Sequence, residues 1–209
     1  MPNARRAQRP PRRIVLMRNS AAEGDAPLDF MLSDFQDALT AYARMSDTAV
    51  PDMAMFGSDD AAPSFPADTM ILSIYAHTAV EARVSLRSLR GSPRIADALI
   101  EERRVYGIAC IASPEGALVP LSREFESLTR QMGLTWCGML GIGNADALAS
   151  YDGYPRLGFW RRPVSEALDR LIGAVRSGLP ISESQQLAGS VIDVGDTITV
   201  RARRTLRRR

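Results

Sequence analysis

His77 is the only histidine in the 209 residues. It follows the apolar run Met70-Ile71-Leu72-Ser73-Ile74-Tyr75. An imidazole has a reference pKa near neutrality, so at the end of a buried strand it could move a proton or touch a ligand. The same position also suits an ordinary polar loop residue. Tyr75 offers a ring for stacking, or simply a core side chain. Ser113-Pro114-Glu115-Gly116 follows a second apolar run, 105–112. There Glu115 reads either as part of a ligand loop or as a solvated turn.

Other chemistries lack their residues. Lysine is absent and all 26 basic residues are arginine, which excludes Schiff-base and phosphate-loop lysine chemistry. Cys110 and Cys137 sit in apolar surroundings, outside any Cys-x-x-Cys, and read as buried, inert thiols. With a single histidine they make a poor zinc set, so no metal site is expected. Asp59-Asp60 could meet a divalent cation but reads as a solvated loop. Gly141-Ile142-Gly143 starts like a dinucleotide fingerprint, yet Asp146 stands where the third glycine belongs. No Gly-x-Ser-x-Gly elbow is present.

These residues need elements to position them. Residues 14–17 form a short buried strand entering the polar loop 18–26. A helix follows, with Asp25 as its cap, Pro27 in its first turn, and Leu28, Met31, Leu32, Phe35, Leu39 and Tyr42 at helical spacing. Residues 50–56 read as a weaker strand and 57–67 as a loop. Strand 70–75 precedes a helix over 80–89, and helical character resumes over 95–103. Strand 105–112 is continuously apolar, as a sheet covered on both faces requires. A helix over 121–132 stops at Gly133. Strand 135–140 leaves through Gly141-Ile142-Gly143, and a last helix spans 164–175. Residues 191–200 alternate and suit an edge strand.

Strands alternating with helices imply right-handed crossovers. The expected fold is α/β, a three-layer, doubly wound, parallel five-stranded sheet in the order 2-1-3-4-5. The expected organisation is a basic tail over 1–13, one domain over 14–180, an extension over 181–200 and an arginine tail over 201–209. In such sheets ligands bind beyond the carboxyl ends of the strands, where the strand order reverses. That rule selects loops 18–26, 75–79 and 113–119.

At those loops the chain resembles the flavodoxin-like NAD(P)H-dependent FMN reductase and quinone reductase family. Ile74-Tyr75-Ala76-His77-Thr78-Ala79 is similar to the family's third-strand exit. Ser113-Pro114-Glu115 resembles the Phe-Pro-Glu after the fourth strand of one branch. Met132-Gly133-Leu134-Thr135-Trp136-Cys137-Gly138, with Gly141-Ile142-Gly143, resembles that branch's tryptophan and glycine segment. The likeness runs from about residue 14 to 178. It implies FMN at the three loops, with Asn19 and Ser20 at its phosphate and Tyr75, Ala76, His77, Thr78, Ser113, Pro114 and Glu115 around its ring. It also implies hydride transfer from NAD(P)H to a small-molecule acceptor such as a quinone, flavin, azo or nitro compound. Homodimers are common in such a family. No protein acid or base need be named, because the flavin carries the chemistry. Departures are visible too: Glu23 and Asp25 stand near the expected phosphate position, where acids compete for the positive helix end. The alternative is a degenerate member that has lost flavin and acts as a binding or regulatory module.

Charge is unevenly placed. Residues 1–13 hold five arginines and 201–209 hold six, with no acid in either. This leaves 15 arginines against 24 acids in 14–200, a net of −9 for the globule. The tails could be merely solvated, or could meet an acidic partner. They lack interleaved aromatics, so a nucleic-acid module is not favoured. No apolar run nears the roughly 18 residues of a membrane span, and 14–17 is too short for a signal-peptide core. A cytoplasmic location is therefore expected.

Overall fold

The structure is a computed structural model. It describes residues 10–20, 26–57, 60, 65–90, 92, 95, 98–113, 118–151, 153–184 and 192–204. The central sheet contains β1 (Arg13–Ser20), β2 (Asp52–Gly57), β3 (Ala67–Ala76), β4 (Leu99–Ile111), β5 (Thr135–Gly143), β6 (Ile192–Val194) and β7 (Thr197–Arg201). Its order is β2-β1-β3-β4-β5-β7-β6. The first five strands are parallel in the order 2-1-3-4-5, as expected for a flavodoxin-like doubly wound sheet. β7 adds a further parallel strand beside β5, and β6 returns antiparallel at the edge.

Among the described residues, two α-helices cover each face. α1 (Ala26–Met45) and α4 (Arg162–Ser177) lie over one side, and α2 (Ala79–Ser88) and α3 (Leu118–Gln131) over the other. Alternation along β1 assigns its side chains to faces. Ile14 and Leu16 enter the α1 and α4 core, while Val15 and Met17 enter the α2 and α3 core. β3, and β4 from residue 104 onward, are buried on both faces, which is why 70–75 and 105–112 read as continuous apolar runs. α4 begins with Pro163 in its first turn and ends at Gly178 with φ 64°, a left-handed cap that glycine adopts without a Cβ clash.

Three expectations are corrected. Residues 99–103 do not continue a helix; they open β4, with Leu99 in register with Ala67 of β3. The next paired residue is Arg104, with Thr69, so 100–103 bulge out of the ladder, and Arg103 takes φ 51°. Gly141-Ile142-Gly143 is not the exit of β5 but its last stretch, paired with Thr199, Val200 and Arg201. A Cβ at Gly141 would stand 3.2 Å from the Leu118 side chain, so that glycine serves close helix packing.

The tail boundaries also move. Arg13 is the first residue of β1, Pro11 is buried, and the Arg12 amide donates to Asp68 Oδ2 at 2.9 Å. At the other end Arg201 closes β7, and Ala202 is buried beside Ile198 and Val200. The Arg203 amide donates to the Tyr151 hydroxyl at 2.7 Å, and that hydroxyl donates to the Arg203 carbonyl. Backbone pairing thus carries the fold through Arg12 and Arg13 at one end and Arg201 and Arg203 at the other. Residues 1–9 and 205–209, with the rest of the two tail assignments, lie outside the described residues.

Candidate functional site

The order 2-1-3 reverses between β1 and β3, and this is where a doubly wound sheet opens a crevice. Register sets what stands at its mouth. Ser20 ends β1 opposite Tyr75 of β3, and Tyr75 lies beside Cys110 of β4. Past the strand ends the loops stay joined. The Ala112 amide donates to the Ala76 carbonyl at 3.0 Å, and the Ser113 amide to the His77 carbonyl at 2.9 Å. Ser20, Tyr75, Ala76, His77, Thr78 and Ser113 therefore gather along one edge.

Their side chains have different roles. Ala76 is fully buried and supplies floor rather than contact. Tyr75 is buried, and its hydroxyl donates to Asp146 Oδ1 at 2.7 Å. Burial, then this carboxylate, push the Tyr75 phenol well above its ordinary pKa. His77 is exposed, with its ring edge-on to Tyr75 at 5.9 Å between centroids. Thr78 caps α2: its hydroxyl accepts from the Glu81 amide at 3.2 Å, while Glu81 Oε2 accepts from the amides of His77 and Thr78. This is a reciprocal capping box, and it satisfies the amides that open α2.

Asn19 does not join the site. It is buried on the α2 side, and its amide donates to Ser85 Oγ at 2.9 Å. The alternation of β1 turns residue 19 to the same face as Val15 and Met17. Pro114 and Glu115, like Glu23 and Asp25, lie outside the described residues. Arg18 pairs with Asp29 in the first turn of α1 at 2.9 Å.

Sequence reasoning missed two participants. Glu81 was legible, because Thr-x-x-Glu ahead of a helix is a capping-box signature. Asp146 was not. It follows β5, whereas Tyr75 is on β3, and only the sheet order with β4 between them brings the two together.

The two thiols are buried, as expected. Burial pushes Cys137 up to about 11 and Cys110 still higher, so neither is a thiolate at neutral pH. Among the described residues no three His, Cys, Asp or Glu side chains gather as metal ligands. No helix among them is long and apolar enough to cross a membrane. A second concavity of about 750 Å³ lies at the opposite, amino end of the strands, between Pro11, Leu39, Val50 and Arg176. It holds none of the ligand-site residues expected from sequence.

The edge can be tested against the group the resemblance implies. His77, exposed beside the Tyr75–Asp146 pair, suits the rim of a planar ring. Ser20, at the exposed end of β1, suits a polar tail. Asn19, with its amide bonded inside the fold, does not suit the phosphate. The described residues fit the ring end of FMN and half of the phosphate contact. Among known proteins, no family model, no curated protein and no solved structure matches this chain.

Proposed function

We propose that this edge binds FMN and that the protein passes reducing equivalents from NAD(P)H to a small-molecule acceptor such as a quinone, flavin, azo or nitro compound. The observation that carries the reading is the juxtaposition of Ser20, Tyr75 and His77 at the reversal between β1 and β3. Ser20 would meet the phosphate end, and His77 with Thr78 and Ser113 the ring end. FMN, when bound, supplies the hydride and electron chemistry. The chain's own part is orientation: the Asp146 carboxylate fixes the Tyr75 ring, and Tyr75 in turn limits where the His77 imidazole can lie.

One observation favours a second reading, a member of this fold that has lost flavin and acts as a binding or regulatory module. The His77 and Thr78 amides, which could have met a ligand acceptor, already donate to Glu81. Titration of the purified protein with FMN and riboflavin separates the two. Under the first reading both flavins bind. His77→Ala then weakens both about equally, and Ser20→Ala weakens FMN by roughly ten- to a hundredfold more than riboflavin, the worth of one hydrogen bond to a charged group. If neither flavin binds, and the protein carries none as isolated, the oxidoreductase reading fails and the binding-module reading stands.

A further inference from the structure

The segment between the 3₁₀ helix Ala145–Tyr151 and α4 exposes three large apolar side chains within six residues. Leu157 is 76% exposed, Phe159 69% and Tyr154 40%. Scattered single apolar residues on a surface mean little, but several on one short loop mark an interaction site. This loop is also held. Arg156 and Arg161, on either side of the tip, both donate to Oδ1 of the buried Asp34 at 2.7 Å. The tip turns tightly, with the Gly158 amide donating to the Pro155 carbonyl at 2.9 Å. Arg161 lies 4.8 Å over the Phe30 ring, and Trp160 packs against the core beneath. Leu157 and Phe159 are thus displayed by an anchored turn.

Beside the tip stands positive charge. The Arg203 guanidinium lies 4.8 Å over the Phe159 ring, and Arg201 and Arg204 are exposed. The sequence from 201 to 209 carries six arginines and no acid, although 14–200 is net negative. An exposed apolar tip touching a basic terminus is the pattern of an interfacial anchor: apolar groups enter the acyl boundary while arginines meet anionic headgroups.

We propose that the 154–159 loop and the adjoining Arg201, Arg203 and Arg204 together dock the protein on an anionic lipid surface. Leu157 decides for lipid over nucleic acid, since its branched alkyl group has no planar face for a base to stack on. The exposed Arg201, Arg203 and Arg204 oppose a second copy of the same patch.

The test uses the full chain and vesicles of phosphatidylcholine with and without phosphatidylglycerol. Co-sedimentation is expected only with phosphatidylglycerol and should weaken as salt rises. The pair Leu157→Ser and Phe159→Ser should reduce binding at least about tenfold, because one signal alone anchors weakly. Arg203→Gln with Arg204→Gln should reduce it and flatten the salt dependence. All of these residues are exposed, so melting temperatures should stay near wild type and confirm folding. A second measurement needs no variant: brominated lipid should quench Trp160, which lies 5.2 Å from Phe159, and spare Trp136. Failure of the wild type to bind anionic vesicles would overturn the proposal. So would binding that the serine pair leaves unchanged. A dimer dissolved by the serine pair, or nucleic-acid binding lost with Phe159, without vesicle binding in either case, would reassign the loop to that partner.

Discussion

Two polar clusters lie on the α1 and α4 side of the sheet, and they are built on different terms. Around Asp34 charge is buried and heavily paired. Asp34 is 5% exposed and accepts from Arg156 and Arg161, and Arg156 also bonds Asp169 at 2.7 Å. At the crevice mouth a neutral phenol meets the carboxylate of Asp146, which is exposed, and His77 faces solvent. The first cluster joins α1, the 154–161 loop and α4, and any member removed leaves a desolvated charge behind. The second can lose a partner to water at little cost. The contrast separates a group that holds the fold from one left available for a ligand.

The largest expected effect tests the buried cluster. Asp34→Ala leaves two guanidinium groups facing a site with no carboxylate at its centre. Removing one member of a buried ion pair costs about 3–5 kcal/mol, and the low end applies because both arginines keep some exposure. For a chain of this length that is a fall of roughly 6–12 °C in melting temperature. A fall of less than about 2 °C would erase the contrast between the clusters.

Tyr75→Phe sharpens it from the other side. The hydroxyl is lost, but Asp146 can turn to water, so the cost should be about 1 kcal/mol. The variant should also change the alkaline limb. Tyr75 keeps its proton in the folded state above the ordinary tyrosine value of 10.0, at which the unfolded chain releases it. Its contribution is therefore complete below pH 10 and is lost as pH rises beyond. Denaturant midpoints measured from pH 8 upward should decline less steeply in Tyr75→Phe than in wild type. Equal slopes would place the pH dependence elsewhere.

The smallest effect concerns the cap. Thr78→Ala removes the acceptor of the Glu81 amide and should cost about 0.5 kcal/mol, the low end for a cap because the bond is exposed. It should also loosen Glu81, so that hydrogen exchange of the His77 and Thr78 amides quickens while Tyr75 stays protected. No change in that exchange would show the capping box to be weaker in solution than its geometry suggests.

The sequence by itself determined the order of elements and most of their extents, because burial leaves a periodic imprint. β3, β4 and the apolar stripe of α1 are continuous or helically spaced along the chain, and five strands alternating with helices admit few sheets. It also placed Tyr75 at the end of its strand and His77 in the loop beyond, where switch-point chemistry sits, whereas Ser20, expected in the loop 18–26, closes a β1 that runs three residues past the expected end at Met17. Tertiary structure decided the rest through contacts distant in sequence. Asn19 faces Ser85, 66 residues away. Tyr75 finds Asp146 across 71 residues, and Arg156 finds Asp34 across 122. Leu99 was drawn into β4 because Ala67 of β3 was beside it, and β7 comes close to β5 where Gly138, lacking a Cβ, leaves room for the Asp196 carbonyl. Local sequence sets which face a side chain can turn to, but what waits on that face depends on the order of the strands.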